Sequence, residues 1–377
     1  MRSIGEPYDS EYLAGAVPIW ALTQSEKDIP TAGHSYTVVF GNDKIASDVL
    51  TRCSYENGTG GFGSSGAMMS SLSMNVTDIM WDAAKNGRAL WIGFPRAGYD
   101  WKDPWTTGLW MHYADTFFVE HPVMTQNRFV DVKAYGFLKQ FDKPISTLIS
   151  ETQTIKDTLN ARIPCTIGVF FANLLECVYG RQFSTQTFTN STYQITKSPF
   201  DDSSDGVTCR DVLDWIVAMT GCYVSYTPPT SQTDAYVTLK TWSTSTTIPL
   251  TNIAKMDVHS ENTFVNKVTV QSSKWSVSQS ATTTADVEYR ELTIKANPLY
   301  ECLASTGARS TVASNVLRKF LAKNFCEFDI SVAAGLKYEV GDYVSFTDAK
   351  GKTRKGWLTY VKHTMGGLTE LKCELAS

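Results

Sequence analysis

The last forty residues alternate between apolar and polar positions with a period of two, broken at intervals by glycine and aspartate. Tyr343-Val344-Ser345-Phe346-Thr347 alternates as a strand, residues 348–352 turn the chain, residues 357–363 return it, and Met365-Gly366-Gly367 turns it again. In the final strand Leu371, Cys373 and Leu375 face one way, while Glu370, Lys372 and Glu374 face the other. This pattern predicts a three-stranded meander buried on one side only. The unit carries no catalytic residue set, so it predicts a chain built to present surfaces.

Upstream, the period changes from region to region. Residues 1–30 show no clear periodicity and contain Pro7, Pro18 and Pro30, as in an arm or extension. Strands are predicted over 36–40, around Leu72, Met74 and Val76, and over 129–135, the last running into a short helix near 136–141. Residues 81–118 read as an aromatic-rich, loop-like section. In the middle, Thr166 is placed to cap a helix through Val178 that Gly180 ends. Thr208 and Asp211 form the spacing of a capping box, Val212, Leu213, Ile216 and Val217 make an apolar face, and Gly221 stops that helix. Strands are then expected over 222–226 and 235–242.

From Ile248 the alternation returns, with strands over 265–271 and 287–294 around a polar loop at 276–284. One helix interrupts at 311–323, with Val312, Val316, Leu317, Phe320 and Leu321 in a single stripe. The fold class is therefore α+β and β-rich. Its expected organisation is an extension at 1–34, a β-region with an aromatic-rich insertion at 35–132, an α+β middle at 133–245, and a second β-region at 246–377.

Length supports this division, since 377 residues exceed what one hydrophobic core usually holds. Charged residues make up 19% of the chain, below the roughly 25% usual in soluble domains, and aromatics reach 12%. Low charge with many aromatics suits burial against other subunits. A net charge of −4 argues against a nucleic-acid binder, since neutralising phosphates needs a basic face, and no sequence-specific nucleic-acid partner is expected. The densest basic group (Lys350, Lys352, Arg354, Lys355) falls at a predicted hairpin loop, where a solvated turn explains it as well as a partner does. The eight cysteines include no CxxC pair and mostly sit among apolar residues, as buried thiols of a reducing cytoplasm do. The start lacks a signal-peptide layout, and the most apolar run, 167–178, is too short for a stable membrane span and contains Glu176.

Candidate chemistry is sparse. Residues 58–63, GTGGFG, satisfy GxGxxG, but a β-patterned segment follows where a dinucleotide site needs a helix, so a loop between strands is expected. Asp201, Ser203, Asp205 and Gly206 imitate the first half of a calcium loop. Val212, however, stands where the bidentate Glu belongs, which leaves a polar lead-in to the Thr208 cap. The five histidines form no HExxH, and no GxSxG is present. No catalytic residue, cofactor or metal is assigned, and no enzyme activity is expected. Trp81, Trp91, Trp101, Trp105 and Trp110 gather half of the ten tryptophans. Trp91, Trp101, Trp105 and Trp110 are candidates for an interface or, alternatively, for stacking on a glycan or receptor.

Four segments, in order, resemble the baseplate or tail-tip hub proteins of long-tailed bacteriophages and prophages, the front part of tail-associated lysins. They are Phe62-Gly63-Ser64-Ser65-Gly66 with the strand after it, DVKAYGFLKQFD at 131–142, CRDVLDWIVAMTG at 209–221, and Asn297-Pro298-Leu299 with the helix and meander that follow. Gly136 departs from the family, which usually has Asp there, and the helix core at Val217-Ala218 is looser. The resemblance implies that the two β-regions are tail-tube-like barrels flanked by α/β accessory domains, in a homotrimer whose ring adapts a hexameric tail tube to a threefold tip around the DNA channel. Implied partners are the distal tail or tube protein, the tape-measure protein, and a tail fibre or central spike. The implied location is the virion tail tip, after synthesis in the host bacterial cytoplasm. No murein-hydrolase or fibre extension follows the hub region, so no lytic activity is carried over.

Overall fold

The computed structural model describes residues 17–18, 37–40, 43–45, 50–59, 71–77, 89–95, 111–125, 129–200, 204–227, 236–259, 263–271, 275–280, 288–295, 297–320, 324–333, 338–364 and 367–375. Strands β1 (Thr37–Phe40), β2 (Asp43–Ile45), β3 (Leu50–Gly58), β4 (Ser71–Thr77), β5 (Ala89–Pro95), β6 (Met111–Met124) and β7 (Phe129–Tyr135) come first. A 3₁₀ turn at Phe137–Asp142 leads to helices α1 (Ile155–Ala161), α2 (Ile167–Tyr179) and α3 (Cys209–Ala218), and then to the hairpin of β8 (Tyr223–Thr227) and β9 (Tyr236–Lys240). The remainder comprises β10 (Ile253–Val258), β11 (Thr263–Gln271), β12 (Ser276–Ser280), β13 (Glu288–Lys295), α4 (Pro298–Glu301), α5 (Thr306–Phe320), β14 (Glu327–Val332), β15 (Tyr343–Thr347), β16 (Thr353–Thr364) and β17 (Thr369–Leu375).

The helices form where their caps lie. Thr166 accepts a hydrogen bond from the Val169 amide, and Gly180, at φ 71°, ends α2 in the left-handed region that favours glycine. Helix α2 is buried almost all round, through Ile167, Phe170, Phe171, Leu174, Leu175 and Val178. Its one acid, Glu176, meets Arg162 through paired bonds of 2.6 and 2.9 Å. Thr208 and Asp211 make the complete capping box of α3, whose Val212, Leu213, Ile216 and Val217 are all buried. Helix α5 begins five residues before the expected Thr311, because the Ser305 hydroxyl accepts from the Ala308 amide at 3.1 Å and starts the helix there.

Fourteen strands join in one sheet, whose main path runs β10-β14-β17-β16-β3-β4-β7-β6-β5-β1-β2. Strand β15 and two-residue strands at Val17–Pro18 and Ile248–Pro249 attach off that path. The β-rich α+β class holds. No pairing among the described residues closes the path into a barrel. The path joins the two β-regions, because β3, from the first, pairs antiparallel with β16 of the meander, with Tyr55 opposite His363. A second sheet, β12-β11-β13, pairs β11 and β13 in parallel, and α5 packs on β11 and β12.

Three further expectations change. The section at 81–118, expected as loop, contains β5 and the start of β6, paired antiparallel. Aromatic residues occupy these strands because they favour the pleated, half-covered surface of a sheet. The polar loop expected at 276–284 contains the edge strand β12, anchored by buried Val277 and by a 2.8 Å hydroxyl contact between Thr269 and Ser278. An edge strand tolerates polar positions on its solvent side, which hides it from a hydrophobicity scan. Within the expected N-terminal extension, Val17–Pro18 pairs in parallel with β6.

Among the described residues, two apolar clusters lie in the interior. One runs from Leu138 and Phe141 through α2 and α3 to Val268, Ile294, Val312 and Val316, and reaches Tyr343 and Trp357 of the meander. The other lies inside the meander, around Phe328, Ile330, Val344, Phe346, Leu358 and Leu371. The two meet beside Gly341, at φ +91°, where a Cβ would stand 2.3 Å from the Tyr223 hydroxyl oxygen. The Tyr223 ring lies tilted against Trp242 with centroids 4.5 Å apart, and the Trp357 indole donates to the Ser243 carbonyl at 2.8 Å. Only a residue without a Cβ lets the meander lie this close to the α+β body.

Candidate functional site

Alternation along β14 and β17 puts Phe328, Ile330, Leu371 and Cys373 in the core and sends Glu327, Asp329, Glu370 and Lys372 to the opposite face. On that face lies a groove of about 260 Å³, lined by Lys255, Asp257, Asp329, Tyr360, Glu370 and Lys372 among others. The register places Asp257 directly opposite Asp329, a like-charge pairing that is unfavourable by itself. Neighbouring lysines and a histidine offset it. Lys255 meets Asp257, His259 Nε2 lies 2.6 Å from Asp329, and Lys372 lies 3.3 Å from Glu327 and 3.9 Å from Asp329. Lys362 joins Glu370 at 3.1 Å. The Asp257 carboxylate holds the Lys255 ammonium above the usual lysine range.

At the groove's edge the seam between β3 and β16 is fastened by polar groups. Glu56 accepts from the Tyr360 hydroxyl at 2.8 Å and from the Ser71 hydroxyl at 2.7 Å. Burial, with Glu56 adding to it, pushes the Tyr360 phenol well above its ordinary range. The carboxylates of this surface are thus engaged by lysines, a histidine or hydroxyls, an arrangement suited to holding a face in shape rather than to proton transfer. The thiols are equally quiet. Burial pushes Cys165, Cys177 and Cys302 up to about 11 and Cys209 up to about 12, far from a reactive thiolate. The seven cysteines whose side chains are described are buried thiols.

Only some of the residues singled out in the sequence lie among the described residues. Trp91 lies on β5, its backbone in register with Val39 on one side and Thr116 on the other. Trp81, Trp101, Trp105 and Trp110 lie outside the described residues. Asp205 sits in a 3₁₀ turn at Ser204–Gly206 leading to the Thr208 cap, while Asp201 and Ser203 lie outside the described residues. Among the described residues no group of three or more His, Cys, Asp or Glu side chains is placed to hold a metal. Of the glycine-rich stretch, Gly58 ends β3 and the Thr59 amide donates to the Thr359 carbonyl at 3.0 Å. Glu56 pairs with Ser71, so the segment joins two antiparallel strands. No described helix is long and apolar enough to cross a membrane.

Sequence reasoning missed the Glu56–Tyr360 seam and the Tyr223–Gly341 contact. The one local signal was Gly341 itself, a glycine standing just before a strand.

No family model matches the chain, and no curated protein matches it in sequence. Its β-rich α+β architecture has counterparts among solved structures of prophage tail proteins. The chain is similar in fold to the 43 kDa tail protein of prophage MuSo2 from Shewanella oneidensis. That likeness has a TM-score of 0.50 at 11% identity and covers 91% of this chain and 98% of the other. It is also similar to prophage tail protein gp18 from Listeria monocytogenes EGD-e, with a TM-score of 0.47 at 11% identity, over 90% of this chain and 94% of that one.

Proposed function

We propose that this chain is a structural protein of a bacteriophage or prophage tail, acting at the tail tip as a baseplate hub. The observation that carries the proposal is the fold likeness to the MuSo2 tail protein, which extends over nearly the whole of both chains. The compensated charged face, the buried high-pKa thiols and the polar seam between β3 and β16 support a role in holding surfaces rather than in catalysis. In this proposal the protein is a homotrimer that joins the hexameric tail tube to a threefold tip, beside the tape-measure protein and a fibre or central spike. The tube-like barrel pair belongs to the same proposal, with the two ends of the open sheet as the seams at which closure occurs.

The test is mass spectrometry and antibody-gold labelling of purified particles. The expected result is the chain at the tail tip in multiples of three. Its absence from particles refutes the tail role, and a strictly monomeric state in the presence of tail partners refutes the hub role. A cleared band in a peptidoglycan zymogram of the purified chain refutes the non-enzymatic reading.

A further inference from the structure

Between β15 and β16 the chain makes a hairpin tip whose backbone is held from inside. Asp348 accepts from the amides of Lys350 and Lys352, each at 2.9 Å, and from Arg354 Nε at 2.7 Å. The Gly351 amide donates to the Asp348 carbonyl at 2.9 Å, with Gly351 at φ +76°, and the Asp348 amide donates to the Lys352 carbonyl at 2.9 Å. This is a type I turn closed by a left-handed glycine, a stiff hairpin connection. The Arg354 guanidinium beside Asp348 holds its carboxyl below the usual carboxylate range, so the pair stays charged at neutral pH.

The aspartate uses up the arginine and leaves the lysines free. Lys350, Lys352 and Lys355 are exposed, and none forms an ion pair among the described residues. Residues 348–355 carry four cations and one anion, a net +3, while the whole chain carries −4, which leaves −7 for the rest. A locally cationic point therefore projects from an acidic body.

The chemistry of the tip selects its partner. Protein hot spots are built on tryptophan, tyrosine and available arginine, and interfacial membrane binding needs an apolar face to insert. Besides the charged residues, the tip offers only Thr347, Ala349, Gly351 and Thr353. What remains is a set of ammonium point charges on a fixed frame, which suits the densest regular polyanion, with one phosphate charge per about 1.7 Å of duplex. We propose that this hairpin tip contacts the phosphate backbone of double-stranded DNA without reading its sequence. With three cations and an acidic body behind them, the contact is weak and salt-labile: it touches the duplex without gripping it. The inference stands on local charge and geometry and does not rest on the tail reading.

The test is fluorescence anisotropy of the full chain with labelled DNA duplexes of unrelated sequence, over a range of salt concentrations. The expected result is equal binding to each duplex, with log K falling against log[salt] at a slope of about −2.7, from about 0.9 per neutralised phosphate. Lys350→Gln/Lys352→Gln/Lys355→Gln should abolish the salt-dependent binding. Lys133→Gln/Lys197→Gln/Lys295→Gln, which removes the same charge from exposed positions elsewhere, should retain it. Unchanged thermal melts show that both variants fold. No binding at low salt, a slope near zero, or equal loss in both variants overturns the proposal. So does equal or tighter binding to anionic phospholipid vesicles, which would assign the tip to a membrane.

Discussion

Replacing Gly341 by alanine should separate the meander from the α+β body, and two costs add. The first is backbone strain, because φ +91° lies where an L side chain is disfavoured by about 1–2 kcal/mol. The second is overlap. The new Cβ would lie 2.3 Å from the Tyr223 hydroxyl oxygen, 2.4 Å from its Cζ and 2.8 Å from its Cε2, against about 3.5–4.0 Å for carbon atoms in contact. Tyr223 has little room to retreat, since its ring packs tilted against Trp242, which in turn meets Trp357 edge-on at 6.0 Å. Overpacking of this kind costs about 1–3 kcal/mol, for a total of about 2–5 kcal/mol.

Urea unfolding followed by tryptophan fluorescence measures this cost, with Trp242 and Trp357 at the joint. Tyr223→Phe should relieve little, because Cζ remains in the way, whereas Tyr223→Ala should lower the Gly341→Ala cost to the backbone part alone. The expected coupling in that double-mutant cycle is about 1–3 kcal/mol. A Gly341→Ala cost below about 1 kcal/mol, or an equal cost with and without Tyr223, would refute the reasoning.

Other outcomes are expected from the same contacts. Thr208→Ala removes the hydroxyl that accepts from the Asp211 amide at 3.2 Å and should cost about 1 kcal/mol in urea unfolding, whereas Thr208→Ser should cost little. Cys165, Cys177, Cys209, Cys222, Cys302, Cys326 and Cys373 should resist Ellman's reagent in the native protein and react on unfolding; more than one fast thiol in the native protein contradicts their burial. The carboxyls of Glu176 and Asp348 are held below their ordinary range, foremost by hydrogen bonds from Arg162 and Arg354. Folded values below unfolded ones mean that this stabilisation is complete above the unfolded values and is lost as pH falls through the folded ones. The melting temperature should therefore show no loss from these pairs between pH 7 and pH 5 and should drop below about pH 4. Asp348→Asn should flatten part of that drop, and an unchanged acid limb counts against the pairing.

What the sequence determined by itself is local. Thr166 with Gly180, and Thr208 with Asp211, bound α2 and α3 because a helix is started and stopped by groups within one turn of its ends. The meander was legible because the face of a strand is decided residue by residue, as buried Leu371 and Cys373 between half-exposed or exposed Glu370 and Lys372 record. Only the tertiary structure decided which strands meet. β3 and β16 pair across some three hundred residues of chain, and nothing near Tyr55 announces His363 as its neighbour. Register over that distance follows from the packing of whole layers and from the entropy of closing the loops between them, neither of which leaves a trace in a short window. The same reason hid β12, whose polar residues become a strand only because β11 is there to pair with them. It also hid the groove, whose charges come from separate strands and balance only once those strands lie side by side.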